Sequence, residues 1–115
     1  MRNVVMEKSF EFAVLIVKFV RELREAKQEQ VLGNQLLRSG TSIGANINEA
    51  QQAQSRKDFI SKMSIALKEA YETRYWLMLL ERVDSAREEK YKVLLSSSNE
   101  IIKILVSIVK NSKEM

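Results

Sequence analysis

The stretch Arg38-Ser39-Gly40-Thr41-Ser42-Ile43-Gly44-Ala45-Asn46-Ile47-Asn48-Glu49-Ala50 decides the fold, because it reads either as a glycine-rich loop or as the middle of a long helix. Its two glycines, three hydroxyl residues and two asparagines point to a loop. Its flanks, Gln35-Leu36-Leu37 and Ala50-Gln51-Gln52-Ala53, point to a helix, and Leu32, Leu36, Ile43, Ile47 and Ala50 recur on one helical face. The helical reading costs roughly 1 kcal/mol for each interior glycine relative to alanine. A close contact must offset that cost, and the spacing of Gly40 and Gly44 is the one that lets a second backbone approach. A phosphate loop is the alternative, but the Walker spacing fails and no lysine precedes Thr41.

With this segment helical, it also carries a polar stripe. Gln35, Arg38, Ser42, Asn46 and Glu49 fall within about 80° of one another on the helical wheel. Arg38 and Glu49 lie roughly 16 Å apart along the axis, so each needs a partner from elsewhere. Exposed helix faces favour Lys, Glu and Ala, whereas these residues are mostly small and hydrogen-bonding. A packed polar seam with Arg74, Glu69 or Glu72 as partners is the leading reading; a wet surface and a ligand or nucleic-acid site stay open beside it.

Outward from this helix, expected over 31–53, the pattern repeats. A first helix over 9–27, with Ser9 as its N-cap, carries two apolar stripes: Phe10, Ala13, Val14 and Val17 on one, Phe12, Ile16, Phe19 and Leu23 on the other. Residues 1–8 extend it or form an arm, and 28–30 make the turn. A third helix over 55–83 opens on Ser55-Arg56-Lys57-Asp58, a capping-box variant, and a fourth over 86–110 opens on Ser85-Ala86-Arg87-Glu88. The third places Phe59, Ile60, Met63, Ala66, Leu67, Ala70, Tyr71, Leu77 and Met78 inward; the fourth places Leu94, Leu95, Ile101, Ile102, Leu105, Val106 and Val109 inward. A fraying tail is expected after 109. Four long helices with short links bury their stripes by lying side by side, which predicts an all-α, up-down-up-down antiparallel four-helix bundle occupying residues 1–115 as one domain.

The third helix leaves Ile65, Trp76, Leu79 and Val83 outside its core stripe, with Glu69 and Glu72 between them. A large exposed apolar patch marks an interface. With Phe12, Ile16, Phe19 and Leu23 of the first helix as companions, these residues predict a homo-oligomer contact. The alternative is a wide, irregular core that absorbs both stripes.

Composition narrows the chemistry. The 115 residues include no Cys, His or Pro and three Gly, which removes disulfides, thiol and imidazole nucleophiles and the usual zinc ligands. Glu69 and Glu72 lack the Glu-x-x-His partners of carboxylate-bridged metal bundles, and Ser107 with Lys110 matches Ser-x-x-Lys without its companion elements. No cofactor, metal, catalytic residue or small-molecule substrate is expected. No apolar run approaches the ~20 residues of a spanning helix, and no signal peptide is visible, so a cytoplasmic protein is expected. The net charge of +4 permits nucleic acid, but pairs such as Lys18/Glu22 and Arg21/Glu25 interleave the cations with carboxylates.

Ser9-Phe10-Glu11-Phe12-Ala13, the segment from Gln35 to Ile47, Lys57-Asp58-Phe59, Ala66-Leu67-Lys68-Glu69-Ala70 and Glu72-Thr73-Arg74-Tyr75-Trp76-Leu77 together resemble the bacterial four-helix-bundle proteins encoded in intervening sequences of 23S ribosomal RNA genes. Many members carry Pro where Gly44 stands and Ala-Glu-Gly where this chain has Asn48-Glu49-Ala50, which places the chain in a subgroup. The resemblance implies a ring, a pentamer, with no established enzymatic activity. The chain is also similar to the accessory variability proteins of diversity-generating retroelements, basic pentameric barrels that bind nucleic acid and a reverse transcriptase. The expectation is therefore a non-enzymatic oligomeric scaffold associated with RNA or a nucleoprotein, with a ring that binds nucleic acid directly as the second reading.

Overall fold

Asn3, rather than Ser9, opens the first helix. The structure, a computed structural model, describes residues 3–114, which form α1 (Val4–Glu25), α2 (Gln30–Ala50), α3 (Arg56–Val83), a 3-10 turn (Ser85–Arg87) and α4 (Glu88–Glu114), with no strand among them. The Asn3 side chain accepts from the Met6 N–H at 3.1 Å, satisfying a donor that the first turn leaves free. Ser9 is buried inside α1 and its hydroxyl donates to the Met6 carbonyl. Of the expected arm, Met1 and Arg2 lie outside the described residues, and residues 4–8 are helical. The expected tail is helical through Glu114, with Met115 outside the description.

The links are short and specific. After α1 the chain closes a Schellman-type turn, in which Gln28 N–H donates to Leu23 O at 2.8 Å and Lys27 N–H to Arg24 O at 3.0 Å. Lys27 (φ 56°) takes the left-handed position usually held by glycine, and Glu29 (φ 43°) takes a second one immediately before α2. At α3, Ser55 accepts from Asp58 N–H at 3.0 Å, while the Asp58 carboxylate reaches one residue beyond the cap to accept from Gln54 N–H at 3.3 Å. The box expected at Ser85 does not form. Ser85 lies in the 3-10 turn, and the preceding Asp84 makes no cap hydrogen bond because its carboxylate is engaged by Arg87 and Tyr91.

Helix α2 packs between α1 and α3, and α4 packs between α3 and α1; the diagonal pairs make no close backbone contact. The α1–α4 joint is the loosest of the four. At the α1–α2 joint the glycines of the opening segment find their contacts. A Cβ added at Gly33 would stand 3.5 Å from Leu23, one at Gly40 3.0 Å from Ile16, and one at Gly44 3.4 Å from the Ser9 carbonyl. Burying Leu36, Ile43 and Ile47 completely, at about 1.5–3 kcal/mol each, outweighs the helix-propensity cost of the glycines.

Two expected stripes change sides. Phe12, Ile16, Phe19 and Leu23 are buried in the chain's own core, so they are not available as a subunit surface, while Phe10 of the other stripe is 68% exposed. Ile16 must face inward because Gly40 leaves room for it there. On α3, Met63, Ala66, Ala70 and Leu77 are buried as expected, but Tyr71 and Met78 face out and Thr73 and Leu80 face in. On α4, Leu94, Ile101, Ile102, Leu105 and Val109 are buried, Leu95 is half-buried and Val106 is exposed.

Candidate functional site

The polar stripe of α2 spends its hydrogen bonds in two directions. Ser42 donates to the Arg38 carbonyl at 2.6 Å and Asn46 to the Ser42 carbonyl at 2.8 Å, so both fold back on their own helix. Arg38 instead crosses to α3, where its guanidinium lies 3.4 Å from Glu69 and pairs with Glu72. Glu72 also accepts from the Trp76 indole N–H at 3.0 Å, which ties the tryptophan into the same group. One layer deeper, the buried hydroxyls of Ser39 and Thr73 hydrogen-bond to each other at 3.0 Å. Gln35 and Glu49 stay exposed towards the two ends of the stripe.

Arg74 is not part of this group. It faces α4, donates to Asn99 at 3.4 Å and stands 5.1 Å over the Tyr71 ring. The reason is angular: Glu69 and Arg74 are five positions apart, about 140° on the wheel, so they serve opposite flanks of α3. With half of the Arg38 side chain exposed, its ion pairs are worth at most about 1 kcal/mol. They set the register of α2 on α3 more than they set stability.

A second polar group, absent from the sequence reading, closes the corner between α3, α4 and α1. The Tyr91 hydroxyl, fully buried, donates to Asp84 at 2.7 Å; Arg87 donates to both Asp84 oxygens at 3.1 and 3.2 Å and to Glu22 at 3.2 Å; Lys90 also pairs with Glu22. The Phe19 ring meets Tyr91 edge-on at 5.0 Å. Burial first, and then the Asp84 carboxylate, push the Tyr91 phenol well above its ordinary pKa, so it stays a donor. Hydrogen bonding from Lys90 holds Glu22 below the usual carboxylate range against the opposing effect of burial, aided by Arg87. The signal for this group was the Asp84…Arg87…Tyr91 spacing of three and four residues, which reads at first as a cap.

The outer side of α3 is the most apolar exposed helix face. Ile65 and Val83 are exposed, Trp76 and Leu79 are half-buried, and the residues that project furthest are Tyr75 and Met78, 60% and 56% exposed, with Tyr71 beside them. Tyr75 packs edge-on against Trp76 at 5.2 Å. The charged residues exposed on this helix, Arg56, Lys57, Lys68 and Arg82, are all cations, whereas Asp58, Glu69, Glu72 and Glu81 are half-buried. Positions 71, 75 and 78 hold helical spacing of their own, so the ridge was visible in the sequence; assigning Tyr71 and Met78 to the core hid it.

Two hollows border the apolar surface elsewhere. One of about 580 Å³ lies between α1 and α2, where Phe10 stands beside Ala13, Gly44 and Ala45. Another of about 380 Å³ lies in the loose α1–α4 joint, over Leu15, Phe19, Val93 and Leu94. No described helix is long and apolar enough to cross a membrane.

Comparison with known proteins gives a consistent picture. A family model described as 23S rRNA-intervening sequence protein matches residues 1–107. The chain is also similar to a protein of unknown function from the S23 ribosomal protein family of Bacteroides thetaiotaomicron, seen in a crystal structure, with 56% identity over 92% of this chain and 98% of that one and a TM-score of 0.88. No curated protein matches the sequence.

Proposed function

Since the chain belongs to the family of 23S rRNA-intervening sequence proteins, we propose that it is a non-enzymatic scaffold that assembles with copies of itself in the cytoplasm and associates with RNA or a nucleoprotein. The observation that carries this reading is the exposed ridge of Tyr71, Tyr75 and Met78 on α3, an area that a lone chain would leave in water. In this reading the helices run up-down-up-down, a topology supported by the pairing of Gly33 with Leu23, Gly40 with Ile16 and Gly44 with Ser9. Copies close into a ring, a pentamer by the family resemblance. The α2 stripe supports a structural rather than catalytic role, because Arg38 is occupied by Glu69 and Glu72 while Ser42 and Asn46 bond to their own backbone. Light scattering at micromolar concentration is expected to give a mass of several chains; a single-chain mass overturns the scaffold.

A second reading rests on the exclusively cationic exposed charge of α3 and the net charge of +4. A ring would multiply that charge into a field able to hold a nucleic-acid backbone directly, as an accessory to a reverse transcriptase. Its mark is an affinity for RNA or DNA that falls steeply with salt as counterions are released. Binding that is absent or insensitive to salt rules it out.

A further inference from the structure

Three of the four joints in the bundle are fixed covalently as well as by packing. Short links tie α1 to α2, α2 to α3 and α3 to α4. Gly40 admits Ile16 at the α1–α2 joint, and the buried Ser39–Thr73 hydrogen bond crosses the α2–α3 joint. The α1–α4 joint has no link and is the least closely packed of the four. Hollows run along it. The one of about 380 Å³ over Phe19 and Leu94 is continued past Leu15 by another of about 290 Å³ over Phe12 and Ile101, and the residues lining both belong to α1 and α4.

Ion pairs close this seam towards its two ends. Lys8 of α1 meets Glu100 of α4. Fourteen positions and roughly 21 Å further along α1, Glu22 takes Lys90 of α4 and, at 3.2 Å, Arg87 of the 3-10 turn. Between these clips the Phe19–Tyr91 edge contact crosses the seam. The side chains of Lys8, Glu100, Glu22 and Lys90 are all partly in water, so each clip is weak and dissolved salt screens it.

We infer that α1 and α4 part along this seam without the rest of the bundle unfolding, and that the Lys8–Glu100 and Glu22–Lys90 clips set how often they do. The fold then carries a salt-sensitive clasp. Its opening bares a strip of Phe12, Phe19, Leu94 and Ile101, all buried in the closed bundle. Partial openings follow the least tightly packed parts of a fold, and here that part is also the one joint no link holds shut. The scaffold reading is not needed for this, because its ridge lies on α3, which makes no close backbone contact with α1.

The chain has no cysteine, so a single introduced thiol reports on one place. Leu94→Cys puts it on the floor of the seam and Ser39→Cys at the α2–α3 joint, both at buried positions. Under native conditions the Leu94→Cys thiol is expected to be labelled faster than the Ser39→Cys thiol. Its rate should also rise less steeply with low urea, because the urea slope scales with the surface that an opening exposes. Lys8→Gln and Glu22→Gln, each added to Leu94→Cys, should raise its labelling by up to about fivefold. Molar sodium chloride should do the same while the clips are intact, and less once both are removed. Ile101→Cys takes the place of Leu94→Cys if circular dichroism shows that the latter is not folded. Labelling of the seam thiol that is no faster than that of Ser39→Cys, or equally steep in urea, would mean that the seam opens only when the whole bundle unfolds, and overturns the inference. Labelling that neither clip variant nor salt alters overturns it as well.

Discussion

Gly40 and Gly33 sit on the same helix, yet they respond to the same substitution in opposite ways. At Gly33 an added methyl meets Leu23 at 3.5 Å, an ordinary contact, so Gly33→Ala should keep the helix-propensity gain and raise stability by about 0.5–1 kcal/mol. At Gly40 it meets two carbons of the fully buried Ile16 at 3.0 and 3.1 Å, and overpacking of this kind costs about 1–3 kcal/mol. Gly40→Ala should therefore lower stability by about 1 kcal/mol net, and urea unfolding of the two variants checks the difference in sign. The sequence showed that something must approach these glycines. It did not show what, because the approaching Ile16 belongs to one of two equally apolar stripes on α1, and hydropathy alone cannot rank them. Tyr91 poses the converse problem: a tyrosine with helical spacing to an aspartate looks like a surface pair, and only burial reveals its cost. Tyr91→Phe removes a hydrogen bond to a buried carboxylate and should cost about 2 kcal/mol, read from the same unfolding midpoints.

The four helices themselves were legible because each has a long apolar repeat with no proline to break it, and each observed helix overlaps most of the segment the periodicity marked. Their ends were less so. Asn3 and Ser9 are both good caps, and the choice fell to Asn3 because Val5 and Phe12 pack as one continuous α1 face. Ser85 lost its cap because Asp84 was drawn into the corner group. That group also couples the loosest joint of the bundle to pH. Glu22 on α1 is held below its ordinary pKa by Lys90 and Arg87 of the α3–α4 corner. A depressed folded-state value means that the stabilisation is complete above the unfolded pKa of about 4.3 and is lost as the pH falls through the folded one. Glu22→Gln should accordingly be less stable than the wild type at pH 7, and the gap should close by pH 3. Urea midpoints at the two pH values measure it; a gap that persists in acid would mean the ion pairs do not hold this joint.

At the scale of the whole molecule, the two surfaces from which the sequence predicted self-association fare differently in the bundle. Of the α3 residues behind that expectation, Ile65 and Val83 are exposed and Trp76 and Leu79 half-buried, while the α1 residues, Phe12, Ile16, Phe19 and Leu23, are ones the bundle keeps for itself. What α1 offers instead is Leu15 at the edge of a groove. A wheel drawn for one helix cannot distinguish an inward stripe from an outward one when both are apolar; that information resides in the neighbouring helix, here in Gly40. The central claim is that the α3 ridge is covered by another copy. Hydroxyl-radical footprinting across a dilution series tests it at the residues concerned. Oxidation of Tyr75 and Met78 should be slow at micromolar concentration and rise on dilution, while that of Phe10, exposed on α1, a helix with no close backbone contact to α3, stays constant. Oxidation of Tyr75 and Met78 that is fast and independent of concentration would contradict the account.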